Sequence, residues 1–176
     1  MGLSVRRISA KQGSLLRELR LAALADSPEA FGQRLDHAAA QPDAEWAATA
    51  RAASAGDRRT WLIAWDDDRP VGMVQGRRRP PHDCLLFSMW VAPQARRGGT
   101  GRALVDAIAA WGAGWGARKV VLWVITGNDG ALEFYRRLGF RLLERGPDAE
   151  SGAAYGALAL ERPISAESAG PDLPAG

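Results

Sequence analysis

Residues 85–102 read Leu85-Leu86-Phe87-Ser88-Met89-Trp90-Val91-Ala92-Pro93-Gln94-Ala95-Arg96-Arg97-Gly98-Gly99-Thr100-Gly101-Arg102. Leu85 to Val91 is near-continuously apolar, the pattern of a strand buried on both faces. Past Pro93 the period changes, and Leu104, Ala107, Ile108, Trp111 and Trp115 fall on one face of a helix. Between the two lie Gly98, Gly99 and Gly101, flanked by Arg96, Arg97 and Arg102, with no acidic residue. Strand, glycine-rich turn, helix is an arrangement that binds phosphate. Glycines let backbone N–H groups approach an anion with no Cβ in the way, and the helix N-terminus adds unpaired donors and partial positive charge. The plain alternative is a tight turn with solvated arginines.

Two familiar phosphate loops do not fit. A P-loop needs Lys and then Ser or Thr after its last glycine, but Arg102 and Ala103 follow Gly101. The dinucleotide fingerprint fails because Leu104 takes the place of its third glycine. Gly112-x-Gly114-x-x-Ala117 matches that fingerprint on paper, yet it follows a helix and precedes a strand, the reverse of the required context.

Working outward, Val120 to Ile125 is another buried-type strand, and from Asn128 the residues Ala131, Phe134, Tyr135 and Leu138 recur at helical spacing, with Gly139 placed for a left-handed C-terminal cap. Toward the N-terminus, Thr60 to Trp65 and Val71 to Gln75 form a hairpin around Asp66-Asp67-Asp68-Arg69-Pro70, and Pro80-Pro81 marks the next turn. A strand over Ser4 to Ser9, a helix ending at Asp26, a linker from Glu29 to Pro42 and a helix over Asp43 to Ala55, capped by Asp43, complete the first half. Weak strands are expected over Arg141 to Arg145 and Tyr155 to Leu160. The order β-α-α-β-β-β-α-β-α-β-β predicts the α/β (α+β) class, a mixed sheet flanked by helices, with the strands ending at Val91 and Ile125 parallel through a right-handed crossover. Residues 1–162 form the expected domain, and 163–176, small, polar and Pro-rich, an expected disordered tail.

The chain has 176 residues, 47% of them hydrophobic, which suffices for a sizeable core without disulfides or metals. All but Lys11 and Lys119 of its 23 basic residues are arginine, yet the net charge of +3 is too small to argue for a nucleic-acid partner. Cys84 is the only cysteine, which excludes an intrachain disulfide and fits a reducing compartment. With no apolar leader and no run long enough to span a bilayer, a cytoplasmic location and no membrane partner are expected. His82, Asp83 and Cys84 are adjacent, but no second cluster completes a metal site, so no metal is expected. Arg77-Arg78-Arg79, beside Pro80, reads as a solvated basic turn, with attraction of an acidic substrate as the alternative.

Two motifs together resemble the GNAT N-acetyltransferases. Their acetyl-CoA signature, Arg/Gln-x-x-Gly-x-Gly/Ala, is met by Arg96-Arg97-Gly98-Gly99-Thr100-Gly101. Their second motif is similar to Asn128-x-x-Ala131-x-x-Phe134-Tyr135-x-x-Leu138-Gly139-Phe140. The resemblance spans roughly Arg6 to Leu160 and implies a splayed mixed sheet that admits acetyl-CoA between the strands ending near Val91 and Ile125. It implies that the backbone of Trp90 and Val91 pairs with the pantetheine arm, using donors freed by a β-bulge. It further implies that Arg96 and the N–H groups of Arg97, Gly98, Gly99, Thr100, Gly101 and Arg102 serve the pyrophosphate.

In the same reading Asn128, Ala131 and Phe134 line the cofactor, Asn128 having the alternative of a helix N-cap. Tyr135 protonates the departing thiolate, with a core tyrosine as its alternative. Pro28 and Phe31 are expected to cover the acceptor. Strand positions that hold a basic Glu or His in several relatives carry Leu85 and Phe87 here. His82, Asp83, Ser88, Glu29 and His37 remain as weak substitutes. The expected activity is acetylation of a small-molecule primary amine; the alternatives are a protein N-terminal or lysine acetyltransferase and a non-catalytic acyl-CoA-binding module. The sequence leaves room for a homodimer.

Overall fold

The computed structural model describes residues 2–165. Its strands are β1 (Leu3–Arg7), β2 (Arg59–Asp66), β3 (Arg69–Arg79), β4 (Asp83–Val91), β5 (Lys119–Ile125), β6 (Arg141–Leu142) and β7 (Ala157–Pro163). They form a seven-stranded sheet in the order β1-β2-β3-β4-β5-β7-β6. Short turns join β2 to β3 and β3 to β4, all neighbours but one are antiparallel, and β4 and β5 run parallel with α4 crossing between them. The helices are α1 (Gly13–Asp26), α2 (Leu35–Ala40), α3 (Asp43–Ala55), α4 (Thr100–Gly114), α5 (Asp129–Arg137) and α6 (Pro147–Ala154), with 3-10 turns at Pro28–Ala30 and Pro93–Ala95. No helix among the described residues is long and apolar enough to cross a membrane.

Strand alternation divides the core between the two faces of the sheet. One face packs Leu62, Val74, Cys84, Leu86 and Leu122 against Leu104 and Ile108 of α4. The other packs Ile63, Met73 and Trp61 against Leu16 and Leu24 of α1 and Trp46 of α3. Each fully buried Leu or Ile contributes about 1.5–3 kcal/mol by leaving water, so the two layers together hold the sheet in place.

Two irregularities position the site. The parallel register of β4 with β5 covers only Asp83↔Lys119, Cys84↔Val120 and Leu85↔Val121. Past Leu85 the two strands diverge, β4 continuing with β3 and β5 with β7 as far as Ile125↔Ala157. The second is a bulge in β4. Met73 pairs with Trp90 and Gln75 with Phe87, so Val74 faces both Ser88 and Met89, and Ser88 takes φ +53°. The extra residue reverses the alternation: Leu86 belongs to the α4 layer, Trp90 to the layer under α1 and α3.

Several expectations are corrected. The segment 29–42 contains α2, a helix with only Ala38 buried, and α6 lies where no helix was expected. Pro42, not Asp43, is the N-cap of α3, and Asp43 is its first helical residue. The strand expected over Arg141 to Arg145 shrinks to Arg141–Leu142, and Tyr155 caps α6 rather than opening a strand. β7 runs through Pro163, and Ile164 donates its N–H to the Arg118 carbonyl at 2.8 Å and packs on the α4 core, so the folded chain extends past residue 162. The remainder of the expected tail, 166–176, lies outside the described residues.

Candidate active site

The divergence of β4 and β5 opens a cleft of about 810 Å³. At its closed end Phe87 of β4 stacks on Trp123 of β5, ring centroids 5.8 Å apart. Leu86, Phe87, Ser88, Met89, Trp90 and Val91 form one wall, and Leu122 to Ile125 the other. Because alternate residues of a strand point to opposite faces, the cleft passes through the sheet from the α4–α5 side to the α1–α2 side.

On the α4–α5 side stands the glycine-rich turn. Gly99 is the N-cap of α4 with φ +85°, and Arg97 is also left-handed at φ +66°. The Ala103 N–H bonds to the Gly99 carbonyl at 3.0 Å, so the amides of Thr100, Gly101 and Arg102 are first-turn donors with no intrahelical acceptor. Arg96, Arg97 and Gly101 line the cleft; Gly98, Gly99, Thr100 and Arg102 lie in the turn behind them. Thr100 is buried and Arg102 exposed.

The Arg96 guanidinium turns back toward the sheet. Its Nε donates to the Val91 carbonyl at 3.0 Å and its Nη2 to the Asp26 carboxylate. Asp26 also accepts from Trp90 Nε1 at 3.0 Å and from the Ser27 hydroxyl at 2.8 Å. The Trp90 bond, with those of Ser27 and Arg96, holds the Asp26 carboxyl below its ordinary pKa. One carboxylate thus ties the end of α1 to β4 and to the glycine-rich turn.

Helix α5 supplies Asn128, Gly130, Ala131, Phe134 and Tyr135 to the same cleft. Asn128 is the N-cap, its Oδ1 accepting from the Ala131 N–H at 3.1 Å. Gly139 ends the segment with φ +87°. The Tyr135 ring meets Phe134 and Phe140 edge-on, with centroids 5.0 and 5.4 Å away. Burial raises the pKa of its phenol above the ordinary value, so it stays protonated at neutral pH. Tyr135 is both a core residue, 7% exposed, and a wall of the cleft.

On the α1–α2 side the wall contains residues that sequence patterning passed over, Arg20, Gln33, Gln75 and Trp123, together with Arg77. Phe31 joins them as expected, but Pro28 does not line the cleft. Arg77-Arg78-Arg79 ends β3 rather than forming a turn; Arg77 and Arg78 are exposed as expected, but each has a partner. Arg77 lies over Phe87 at 4.8 Å and donates to Gln75 Oε1 at 3.0 Å, Arg78 lies over Trp115, and Arg79 bridges Asp83 at 2.7 Å and Asp148 at 2.6 Å. Asp83 is therefore consumed in an ion pair. His82 bonds outside the cleft to the Gly116 carbonyl, and neither Glu29 nor His37 lines it. Cys84 is packed under α4, its thiol pushed up to about 12 by burial. Among the described residues no three His, Cys, Asp or Glu side chains gather as a metal site.

A mixed sheet splayed between two parallel strands, with a glycine-rich turn on one side of the opening, is an architecture shared with known proteins. Residues 19–140 match the model of the Acetyltransferase (GNAT) family, more than half of the chain, and the chain belongs to that family. An uncharacterized N-acetyltransferase of Methanocaldococcus jannaschii is 42% identical over 46% of this chain and 42% of its own length. A mycothiol acetyltransferase of Geodermatophilus obscurus is 34% identical over 46% of this chain and 28% of its own length. The chain thus spans less than half the length of these relatives. The PaiA N-acetyltransferase of Thermoplasma acidophilum, solved with coenzyme A, superposes with a TM-score of 0.73 at 13% identity, covering 93% of this chain and 99% of that one, a likeness of fold.

Proposed function

We propose that the chain is an acetyl-CoA-dependent N-acetyltransferase acting on a primary amine of a small molecule. The observation that carries this reading is the strand edge of β4, left without a partner past Leu85 and facing a cleft with the first turn of α4 on one side. An extended pantetheine arm pairs along the backbone of Trp90 and Val91 as a strand would. The amides of residues 97–102 receive the pyrophosphate, Arg97 adds charge, and Arg96 braces the turn through Asp26. Asn128 fixes the start of α5, and Ala131 and Phe134 supply its apolar contact. That a protein of the same fold was solved with coenzyme A supports CoA as the ligand.

The amine nitrogen attacks the thioester carbonyl, a backbone N–H near Val91 polarises the carbonyl oxygen, the carbon–sulfur bond breaks, the Tyr135 hydroxyl protonates the leaving thiolate, and the proton that the nitrogen sheds as the amide forms returns through water to the Tyr135 phenolate. The ammonium proton of the acceptor leaves to water, because no Asp, Glu or His lines the cleft among the described residues. A lysine-like amine of pKa about 10.4 loses that proton at a cost of roughly 4 kcal/mol at pH 7.5, and an α-amino group near 7.7 at only a few tenths. Amines already partly neutral are therefore the better acceptors.

Replacing Tyr135 with Phe keeps the ring packing and removes the acid. We expect kcat to fall about 10²- to 10⁴-fold with CoA affinity retained. In wild type, kcat/KM should follow each acceptor's own amine titration across pH. Unchanged turnover in Y135F makes Tyr135 a packing residue only. CoA binding without turnover of any amine identifies a binding module and overturns the enzymatic reading.

A further inference from the structure

The acceptor side of the cleft holds a cation without a counterion. Arg20, on α1, is 8% exposed and lines the cleft. Its Nε donates to Gln33 Oε1 at 3.0 Å and its guanidinium lies over the Phe31 ring at 4.7 Å. Its Nη1 is buried with no hydrogen-bond partner, and Arg20 pairs with no carboxylate among the described residues. Desolvation lowers its pKa, as expected of a guanidinium removed from water without compensation. Burying an unpaired charge is unfavourable, so folds retain one where something else supplies the missing partner.

A second cation stands on the same face. Arg77 projects from β3 over Phe87, and it too is depressed by desolvation and by the neighbouring Arg59. The neutral side chains between the two, Gln33 and Gln75, present amides whose oxygens are already used by the arginines. Three carboxylates are committed elsewhere: Asp26 to Arg96 and Trp90, Asp83 and Asp148 to Arg79. No acidic side chain among the described residues lines the cleft. A polycationic acceptor would meet only like charge there, whereas an anionic group would complete the set.

We infer that the acceptor is a small amine that also carries a negatively charged group, a carboxylate or a phosphate, which Arg20 and Arg77 receive while its amine reaches the thioester. This deepens the acetyltransferase reading and rests on it. The amide oxygens of Gln33 and Gln75 hold the two guanidinium groups in place, and the rings of Phe31 and Phe87 support them from beneath.

The test compares acceptors matched in size: β-alanine with β-alaninamide, and 2-aminoethyl phosphate with ethanolamine. With each rate referred to the neutral fraction of the acceptor's amine, wild type should prefer the charged member of at least one pair by about 10- to 100-fold in kcat/KM, the range of a charge-assisted hydrogen bond; which pair shows it tells carboxylate from phosphate. Arg20→Gln should erase most of that preference and Arg20→Lys should keep part of it. Calorimetry with N-acetyl-β-alanine or N-acetyl-2-aminoethyl phosphate on the CoA-loaded protein reads the same contact without turnover. Acetylation of neutral and charged members at equal efficiency overturns the inference and leaves the acetyltransferase reading standing. A preference that survives Arg20→Gln and Arg77→Gln also overturns it. If CoA does not bind and no amine is acetylated, the enzymatic reading itself falls and this one falls with it.

Discussion

Gly99 and Gly101 sit two positions apart in one turn and are glycine for different reasons. At Gly99 nothing lies within 4 Å of an added Cβ, but φ is +85°, a conformation that costs an L-residue about 1–2 kcal/mol. At Gly101 the obstacle is packing, since a Cβ would stand 2.9 Å from Cζ of Phe134, itself a wall of the cleft. Both substitutions should therefore weaken CoA binding, by separate routes. Gly99→Ala lowers unfolding stability by about 1–2 kcal/mol whatever stands at 134. Gly101→Ala lowers it by about 1–3 kcal/mol, and adding Phe134→Leu recovers part of the loss. Denaturant titrations of the singles and the double check this, and a Gly101→Ala deficit indifferent to residue 134 assigns the defect to the backbone. Sequence grammar marked both glycines for phosphate approach; only coordinates separate conformational need from side-chain crowding.

At the level of elements, the longest and most apolar segments were the legible ones. β2, β4, α4 and β5 fall where patterning placed them because each carries enough buried residues to impose its period, whereas β3 runs beyond the expected Val71 to Gln75 through Arg79, and α5, with only Tyr135 buried, was legible from the helical spacing of Ala131, Phe134, Tyr135 and Leu138. α2 and α6 were invisible because each buries a single small residue, Ala38 or Gly152, so neither shows an apolar stripe. α6 is held by long-range bonds instead: Arg79 to the Asp148 carboxylate, and Trp123 Nε1 to the Asp148 carbonyl at 3.0 Å. The hydrogen bond from Arg79 lowers the Asp148 pKa. Its contribution is therefore complete above the unfolded carboxylate value of about 3.9 and lost as pH falls through the lower folded one. Asp148→Asn should cost on the order of 1 kcal/mol at pH 7, reduced by solvent screening of the one-third-exposed Arg79, and little at pH 2 to 3. Equal deficits at both pH values exclude the ion pair as the cause. Arg20 and Gln75 escaped the sequence reading for a related reason. They meet at the cleft from α1 and β3, and no local spacing records that meeting.

For the whole molecule, the sheet divides the labour between its faces. One carries α4, α5 and the glycine-rich turn; the other carries α1, α2 and the cationic wall. The cleft connects them because β4 and β5 share only three register pairs before they part. An unpaired strand edge on the outside of a protein invites another chain to add itself. Here such an edge is set inside the fold, between two strands already tied to β3 and β7, where a slender extended molecule fits and a folded neighbour's strand does not. Its amide protons form a natural reporter of occupancy. Amides between Leu86 and Val91 that β3 leaves unpaired should exchange with deuterium far faster than those of β2 or the body of β5, and CoA should slow them selectively. Exchange that is unaffected there at saturating CoA places the ligand off the strand. The opening of the sheet thereby turns a hazard of β-structure, the exposed edge, into a slot that admits by thickness before any side chain is consulted.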